Sequence, residues 1–160
     1  MIDLNQLDTY RENNRLEAKR ALGGLPHSIW ETYSAFANSL GGVILLGVEE
    51  YADKSLHPVD LPDPQGLAQE FWAMLQEPEI ASVNILRRED IQLELVEGKQ
   101  ILVITVPPAR AEEKPVFVEG DAFRGSYFRC GEGDYHCTPG EVQAMLDRAE
   151  SIRKQKKQDG

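Results

Sequence analysis

The sequence contains few cysteines and no long apolar segment. Its 160 residues include two cysteines, Cys130 and Cys137, whereas small secreted domains usually carry several disulfide bonds, so we expect a reducing, cytoplasmic environment. The longest apolar run, residues 43–48, is interrupted by Gly47 and is far too short to cross a bilayer. Because the first residues also lack the basic start and apolar core of a secretory signal, we expect no membrane partner.

Several catalytic and cofactor-binding motifs are also missing. The sequence has no Gly-x-x-x-x-Gly-Lys-Ser/Thr phosphate-binding loop, no His-Glu-x-x-His zinc motif and no Gly-x-Ser-x-Gly nucleophile motif. Gly41-Gly42 precedes an apolar run, whereas a dinucleotide-binding fingerprint places its glycines after a strand. Cys130, His136 and Cys137 lack the spacing that is typical of zinc ligands. We therefore expect no cofactor from the motifs alone.

The charge of the chain is negative and unevenly distributed. The net charge is −10, and residues 41–120 contain fifteen acidic and six basic side chains, whereas the two ends are nearly balanced. Since attraction to phosphate supplies most of the non-specific affinity for nucleic acid, this composition argues against strong electrostatic binding of nucleic acid. A basic face that is built from the two ends of the chain is still compatible with it.

Short apolar segments of mixed period predict an α+β fold, in which a mixed β-sheet is flanked by helices. Neither an internal repeat nor a long linker is present. We therefore expect a single domain over residues 1–150, followed by a basic, frayed tail over residues 151–160. The expected helices begin near residues 3, 28, 63 and 138, and the expected strands cover residues 15–19, 43–48, 83–86, 91–95, 101–106, 116–118 and 126–129.

Two of these strands bear on the candidate site. Residues 15–19 alternate between polar and apolar side chains, so Arg15, Glu17 and Lys19 are expected to share an exposed face. Residues 43–48 are apolar, which is typical of a central strand that is buried on both faces. The acidic residues 49–62 that follow are expected to form a loop.

Polar residues and glycines mark the helix ends. Ser28 with Glu31, and Thr138 with Glu141, have the spacing of a capping box. Gly41-Gly42 predicts the end of the first long helix, because glycine adopts a left-handed conformation without strain. The two tryptophans, Trp30 and Trp72, fall within helices; we expect them to pack, with a stacking platform for single strands as the alternative.

Three segments in one order resemble the Schlafen AlbA-like domain family. The first has Glu12, four residues, Glu17, one residue and then Lys19; the second runs over residues 36–50 and contains Ala-Asn, Gly-Gly and an apolar strand ending in Gly-Val and two glutamates. The third combines residues 114–117, 127–131 and 138–142. Two positions depart from the family pattern, since Asn13 stands where serine is frequent and Glu49 where aspartate is common. The resemblance covers residues 10–150.

The resemblance implies a DNA-binding domain of a bacterial transcription regulator. Binding to nucleic acid is then expected to be weak and salt-dependent. The alternative is an ordinary solvated surface of mixed charge. The basic side chains that are expected to contact phosphates are Arg11, Arg15, Lys19, Arg20, Arg124 and Arg129.

The resemblance also implies a second possibility, a metal-dependent ribonuclease of the Schlafen type. Its catalytic and metal-binding carboxylates would be Glu12, Glu17 and Glu50, with Mg²⁺ or Mn²⁺ as the cofactor, because hard divalent cations prefer oxygen ligands. The alternative is that Glu17 pairs with Lys19 or Arg15 on a solvated strand. A third possibility is a protein-interaction module that forms homo-oligomers.

Overall fold

A four-stranded mixed sheet forms the centre of the computed structural model, which describes residues 2–159. The helices are α1 (Ile29–Asn38), α2 (Pro64–Leu75), α3 (Ala122–Gly125) and α4 (Pro139–Asp159), and short 3-10 turns cover Leu4–Thr9, Arg88–Asp90 and Ala111–Glu113. The strands are β1 (Leu16–Lys19), β2 (Gly42–Leu46), β3 (Val48–Glu50), β4 (Leu56–Pro58), β5 (Ile91–Val96), β6 (Lys99–Val106), β7 (Tyr127–Cys130) and β8 (Gly133–His136). The predicted α+β fold with a mixed sheet and flanking helices is confirmed.

The strand order of the central sheet is β1-β2-β6-β5. β1 runs parallel to β2, whereas β2 with β6 and β6 with β5 are antiparallel. β3 pairs with β4, and β7 pairs with β8, in two separate antiparallel hairpins. The connection from β1 to β2 contains α1, as parallel neighbours require a long crossover.

The central strand β2 is buried on both faces of the sheet. Ile44 and Leu46 of β2 join a core that contains Phe36 of α1 and Phe71 of α2. Leu45 points to the opposite face, where it packs with residues of the N-terminal turn and of β4. The prediction of a doubly buried central strand at residues 43–48 is therefore confirmed, with a break after Leu46.

The end of α1 is fixed by Gly41 and Asn38. Gly41 has a φ of +77°, and a Cβ atom there would lie 2.7 Å from the carbonyl oxygen of Val106, so a larger residue would require the backbone to move. The Asn38 amide donates to the carbonyls of Val116 and Tyr127, both at 2.9 Å, and accepts from Val116 N–H at 2.8 Å. The predicted glycine stop is confirmed, and Asn38 joins α1 to β7.

The two predicted capping boxes have different outcomes. At α4, Thr138 N–H donates to Glu141 Oε1 at 2.8 Å, and Glu141 N–H donates to Thr138 Oγ1 at 3.2 Å, which confirms the prediction. At α1 the prediction is wrong, because Ser28 has helical backbone angles and its side chain makes no cap bond. The Ser28 hydroxyl instead accepts a hydrogen bond from Lys19 Nζ at 3.1 Å.

Other predicted elements differ from the structure. Residues 49–62 contain β4 and most of β3 instead of forming only a loop. Residues 83–86 form no strand, because the Tyr33 hydroxyl donates to the Val83 carbonyl and accepts from Ile85 N–H in place of a strand ladder. β8 was not predicted.

The last residues of the chain are helical to Asp159 instead of frayed. Arg153 donates to the Glu112 carbonyl at 2.7 Å, and Lys156 Nζ lies 3.1 Å from Glu112 Oε1. These contacts attach α4 to the Ala111–Glu113 turn. Within residues 2–159, no helix combines the length and the apolar character that a membrane span requires.

Candidate functional site

Arg129 lies at the centre of the region that the sequence analysis selected. Its side chain is fully buried, and it donates to Asp134 Oδ1 at 2.7 Å, to the Asn13 carbonyl at 2.9 Å and to the Leu16 carbonyl at 3.2 Å. A guanidinium nitrogen also lies 3.0 Å from Glu17 Oε1. Arg129 therefore joins β7 to β1 and to the turn before it, and it has no exposed surface for contact with a phosphate.

Glu17 is held between two cations in this network. One of its carboxylate oxygens faces Arg129, and the other lies 3.4 Å from Lys19 Nζ. The side chains of Glu17 and Lys19 are 15% and 11% exposed, so the face of β1 that was expected to be open is largely covered. The covering residue, Arg129, lies more than a hundred positions away in the sequence, which is why the alternation of residues 15–19 alone did not reveal it.

Three other carboxylates meet beside this network. Oxygen atoms of Glu12, Glu50 and Glu132 all lie within 4.8 Å of one another. Glu12 precedes β1, Glu50 ends β3, and Glu132 lies in the turn between β7 and β8. We call these three residues the carboxylate cluster. Two of them are candidates from the sequence, whereas Glu132 occupies the place that the sequence analysis gave to Glu17.

Burial changes the ionisation of Glu12. Removal from water raises the pKa of the Glu12 carboxyl to about 8, and a hydrogen bond with Glu50 and the negative charges of Glu17 and Glu50 add to the rise. A hydrogen bond from Ala18 N–H, 2.8 Å from Glu12 Oε2, opposes it. Glu12 is therefore mostly protonated at neutral pH when no cation is bound.

Glu50 contributes a buried acceptor to the carboxylate cluster. Its Oε1 atom lies 3.5 Å from Lys54 Nζ. Its Oε2 atom is closed to solvent and accepts no hydrogen bond from an N–H or hydroxyl group of the described chain. The proton on Glu12 is the donor that remains for Glu50, and a bound cation is the other way to satisfy a buried carboxylate oxygen.

The donor set of the carboxylate cluster fits a hard divalent cation. Mg²⁺, Mn²⁺ and Ca²⁺ prefer carboxylate oxygens. Two oxygens bound to one ion lie at most twice the metal–oxygen distance apart, which is about 5 Å for Ca²⁺ and about 4.2 Å for Mg²⁺. Glu12, Glu50 and Glu132 are therefore able to hold one cation, which would take the place of the proton on Glu12.

Exposed arginines surround β1. Arg20 is 62% exposed and pairs loosely with Glu49 at 3.7 Å. Arg11 donates to two backbone carbonyls next to it, and Arg15 has no carboxylate within 4.0 Å among residues 2–159. We call Arg11, Arg15 and Arg20 the arginine rim. Arg124 does not belong to it, since it lies on α3, which packs against α4, and its 88% exposed side chain faces Asp121 at 3.7 Å.

Sequence reasoning missed two residues of this region, Glu132 and Asp134. Asp134 binds Arg129 and also accepts from Thr32 Oγ1 at 2.7 Å, so it anchors the network to α1. Glu132 stands between two glycines, which is the signal of a tight turn. That signal predicts the turn but not its neighbours, because Glu12 and Glu50 lie on distant segments.

Comparison with known proteins gives one family. The family model described as Schlafen, AlbA_2 matches residues 12–138. One similar solved structure is the N-terminal domain of an ATP-dependent DNA helicase RecG-related protein from Nitrosomonas europaea. Its sequence is 28% identical to this chain, the match covers 84% of this chain and 90% of that domain, and the TM-score is 0.59. A Corynebacterium diphtheriae protein is 16% identical over 77% of this chain and 24% of its own, with a TM-score of 0.49. No curated protein matches the chain.

Proposed function

Because the chain belongs to the Schlafen AlbA_2 family, we propose that it is a nucleic-acid-binding domain that contacts the phosphate backbone through the arginine rim. The similarity to a domain of a protein related to a DNA helicase supports this proposal. We propose DNA as the ligand in preference to RNA. The family resemblance implies that the domain acts in transcription regulation. The cytoplasmic location and the homo-oligomer stay predictions.

The arginine rim is the observation that carries this proposal. Its three members come from one short segment around β1, and all are exposed. The ion pair between Arg20 and Glu49, at 3.7 Å and with both side chains accessible, is of a kind that contributes little to stability. A phosphate can therefore replace Glu49 as the partner of Arg20 at little cost.

The net charge of −10 limits the affinity of this surface. Long-range repulsion between the acidic middle of the chain and a polyanion opposes the attraction of three arginines. We therefore expect weak binding that is lost as salt is added. Three phosphate contacts predict a slope of log K against log salt of about −2 to −3.

Fluorescence anisotropy with a labelled duplex and a labelled single strand tests this function. Arg15→Ala and Arg20→Ala should each weaken binding and make the salt slope shallower by about 0.7 to 0.9. The matched control is Arg87→Ala, because Arg87 is 75% exposed and lies in the segment before β5. Failure of the wild-type chain to bind any strand at low salt would refute the proposal, as would an equal effect of the control.

A second candidate, a metal-dependent nuclease, is favoured by the carboxylate cluster. Glu12, Glu50 and Glu132 would hold the divalent ion, which when bound activates water and stabilises negative charge on a phosphodiester. Glu17 would act as a positioning residue, since its ion pairs with Arg129 and Lys19 fix β1 beside the cluster. The arginine rim would hold the flanking phosphates.

Two measurements test the second candidate. Titration calorimetry with Mn²⁺ should show one site that Glu132→Gln removes, whereas Glu94→Gln, an exposed carboxylate on β5, should leave it intact. Incubation of structured RNA or single-stranded DNA with Mn²⁺ should give cleavage that the same variant abolishes. Binding of Mn²⁺ without cleavage would leave the cluster as a metal site and refute the nuclease.

A further inference from the structure

The tryptophans of the chain are engaged in packing. Trp30 is 4% exposed and stacks on Phe71 with ring centres 5.0 Å apart and an angle of 2° between the planes. Trp72 is half-buried, and the guanidinium of Arg88 lies 4.7 Å from the centre of its ring. A stacking platform for a nucleobase must therefore be sought elsewhere.

The hairpin of β7 and β8 has two chemically different faces. Tyr127 and Arg129 point toward α1 and are buried. Phe128 and Tyr135 are directly opposite each other on the outer face, with ring centres 5.8 Å apart and an angle of 33° between the planes. Tyr135 is 53% exposed, and its backbone is held by the hydrogen bonds that pair β8 with β7.

Gly133 fixes the position of the Tyr135 ring. A Cβ atom on Gly133 would lie 2.7 Å from Tyr135 Cε2, so the ring rests against the backbone of the turn. This contact places the ring against Gly133, while the Tyr135 residue as a whole is 53% exposed. An aromatic ring that is held in place and exposed provides a surface for stacking at a small entropic cost.

We propose that Phe128 and Tyr135 form a stacking platform for a base of single-stranded nucleic acid bound at the neighbouring carboxylate cluster and arginine rim. This proposal rests on the proposed function and specifies its ligand as a single strand. The bases of a duplex are stacked on one another, so they are unable to offer a face to the platform unless they are unpaired.

Continuity with the proposed site favours a nucleobase as the occupant. Glu132 lies in the turn of the same hairpin, next to the Cys130–Gly133 pair, and is three residues from Tyr135, which corresponds to about 10 Å along the strand. Phosphates of a stacked strand repeat about every 3.4 Å along its axis. A strand whose base lies on Tyr135 therefore brings phosphates, over about three nucleotides, within reach of a divalent cation that Glu132 and its neighbours would hold.

Anisotropy titration of a labelled oligothymidylate tests the platform, both with EDTA and with manganese in low salt. Tyr135→Ala should weaken binding about 5- to 150-fold, because one stacked base contributes about that factor. Tyr135→Phe should retain wild-type affinity, since it keeps the ring. Phe123→Ala is the matched control, because Phe123 is a similarly exposed aromatic residue on α3.

A strand of the same length without bases separates stacking from structural damage. Tyr135→Ala should not change the affinity for that strand. Equal losses for both strands, or wild-type affinity of Tyr135→Ala for the oligothymidylate, would overturn the platform while leaving the proposed function intact. Absence of any binding by the wild-type chain would overturn both.

Cys130 provides a readout that needs no substitution. It is exposed on the outer face of the hairpin, whereas Cys137 is buried and its pKa is raised to about 11 by that burial, so only Cys130 should react with a maleimide. Bound oligothymidylate should slow the modification of Cys130, and the strand without bases should slow it less. Full reactivity of Cys130 when the oligonucleotide is saturating would contradict the platform.

Discussion

Replacement of Arg129 tests whether one buried guanidinium holds the candidate site together. Arg129→Ala removes the ion pairs to Glu17 and Asp134 at 3.0 and 2.7 Å and the hydrogen bonds to the carbonyls of Asn13 and Leu16. Glu17 and Asp134, whose side chains are 15% and 13% exposed, then remain without their main partner. We therefore expect a loss of stability that is large for a single substitution.

The size of the loss follows from the burial of the pair. Removal of one member of a buried ion pair destabilises a protein by about 3–5 kcal/mol. Since domains of this size are stable by about 5–15 kcal/mol, the variant would remain folded but have a much smaller margin. A chain of this length loses about 2–4 °C in Tm for each kcal/mol, so Tm should fall by roughly 6–20 °C.

Thermal and urea unfolding, followed by circular dichroism, measure this effect. Arg124→Ala is the matched control, because its side chain is 88% exposed and its ion pair with Asp121 is accessible, so Tm should change by no more than about 2 °C. Arg129→Lys should give an intermediate loss, since an ammonium group keeps the charge but cannot reproduce the planar set of donors. Equal stability of Arg129→Ala and Arg124→Ala would refute the reasoning.

Three further predictions follow from single contacts. The pKa of Glu12 is about 8 in the folded chain and near 4.5 in the unfolded chain, so the folded chain binds more protons between these two pH values. The free energy of unfolding should therefore fall as pH rises from about 5 to 8. Urea unfolding of Glu12→Gln should show a weaker fall. Gly41→Ala should destabilise the chain by more than 1 kcal/mol, since its φ is positive and Val106 blocks the added methyl, whereas Gly98→Ala, which also has positive φ but open space, should cost less in thermal unfolding. Asn38→Leu should cost about 2–4 kcal/mol in urea unfolding, because the carbonyl groups of Val116 and Tyr127 lose their donor.

The sequence predicted those parts of the fold that depend on local signals. The glycine stop at Gly41 and the capping box at Thr138 each involve residues within a few positions of one another, and both are confirmed. The apolar run at residues 43–48 predicted a buried strand, and this prediction did not depend on the arrangement of the other elements. The mixture of short helical and strand segments predicted the mixed sheet with flanking helices, and the family resemblance agrees with that architecture.

The parts that could not be predicted depend on contacts between distant segments. Ser28 has the right spacing for a cap, but Lys19 competes for its hydroxyl. Tyr33 takes the backbone groups of residues 83–86, which therefore form no strand. In the candidate site, Glu132 lies close to Glu12 although the two are more than a hundred positions apart, and neither spacing nor composition predicts such a contact.

The bond between Arg129 and the Asn13 carbonyl spans 116 positions, and this separation has a consequence for synthesis. A ribosome releases the N-terminus first, so the segment around Glu12 leaves the exit tunnel long before its anchor is translated. During that interval neither the ion pair of Glu17 with Arg129 nor the carboxylate cluster is able to form. A nascent or truncated chain that ends before β7 would therefore lack a completed site, and any activity that the site has would begin only after β7 and β8 have left the ribosome.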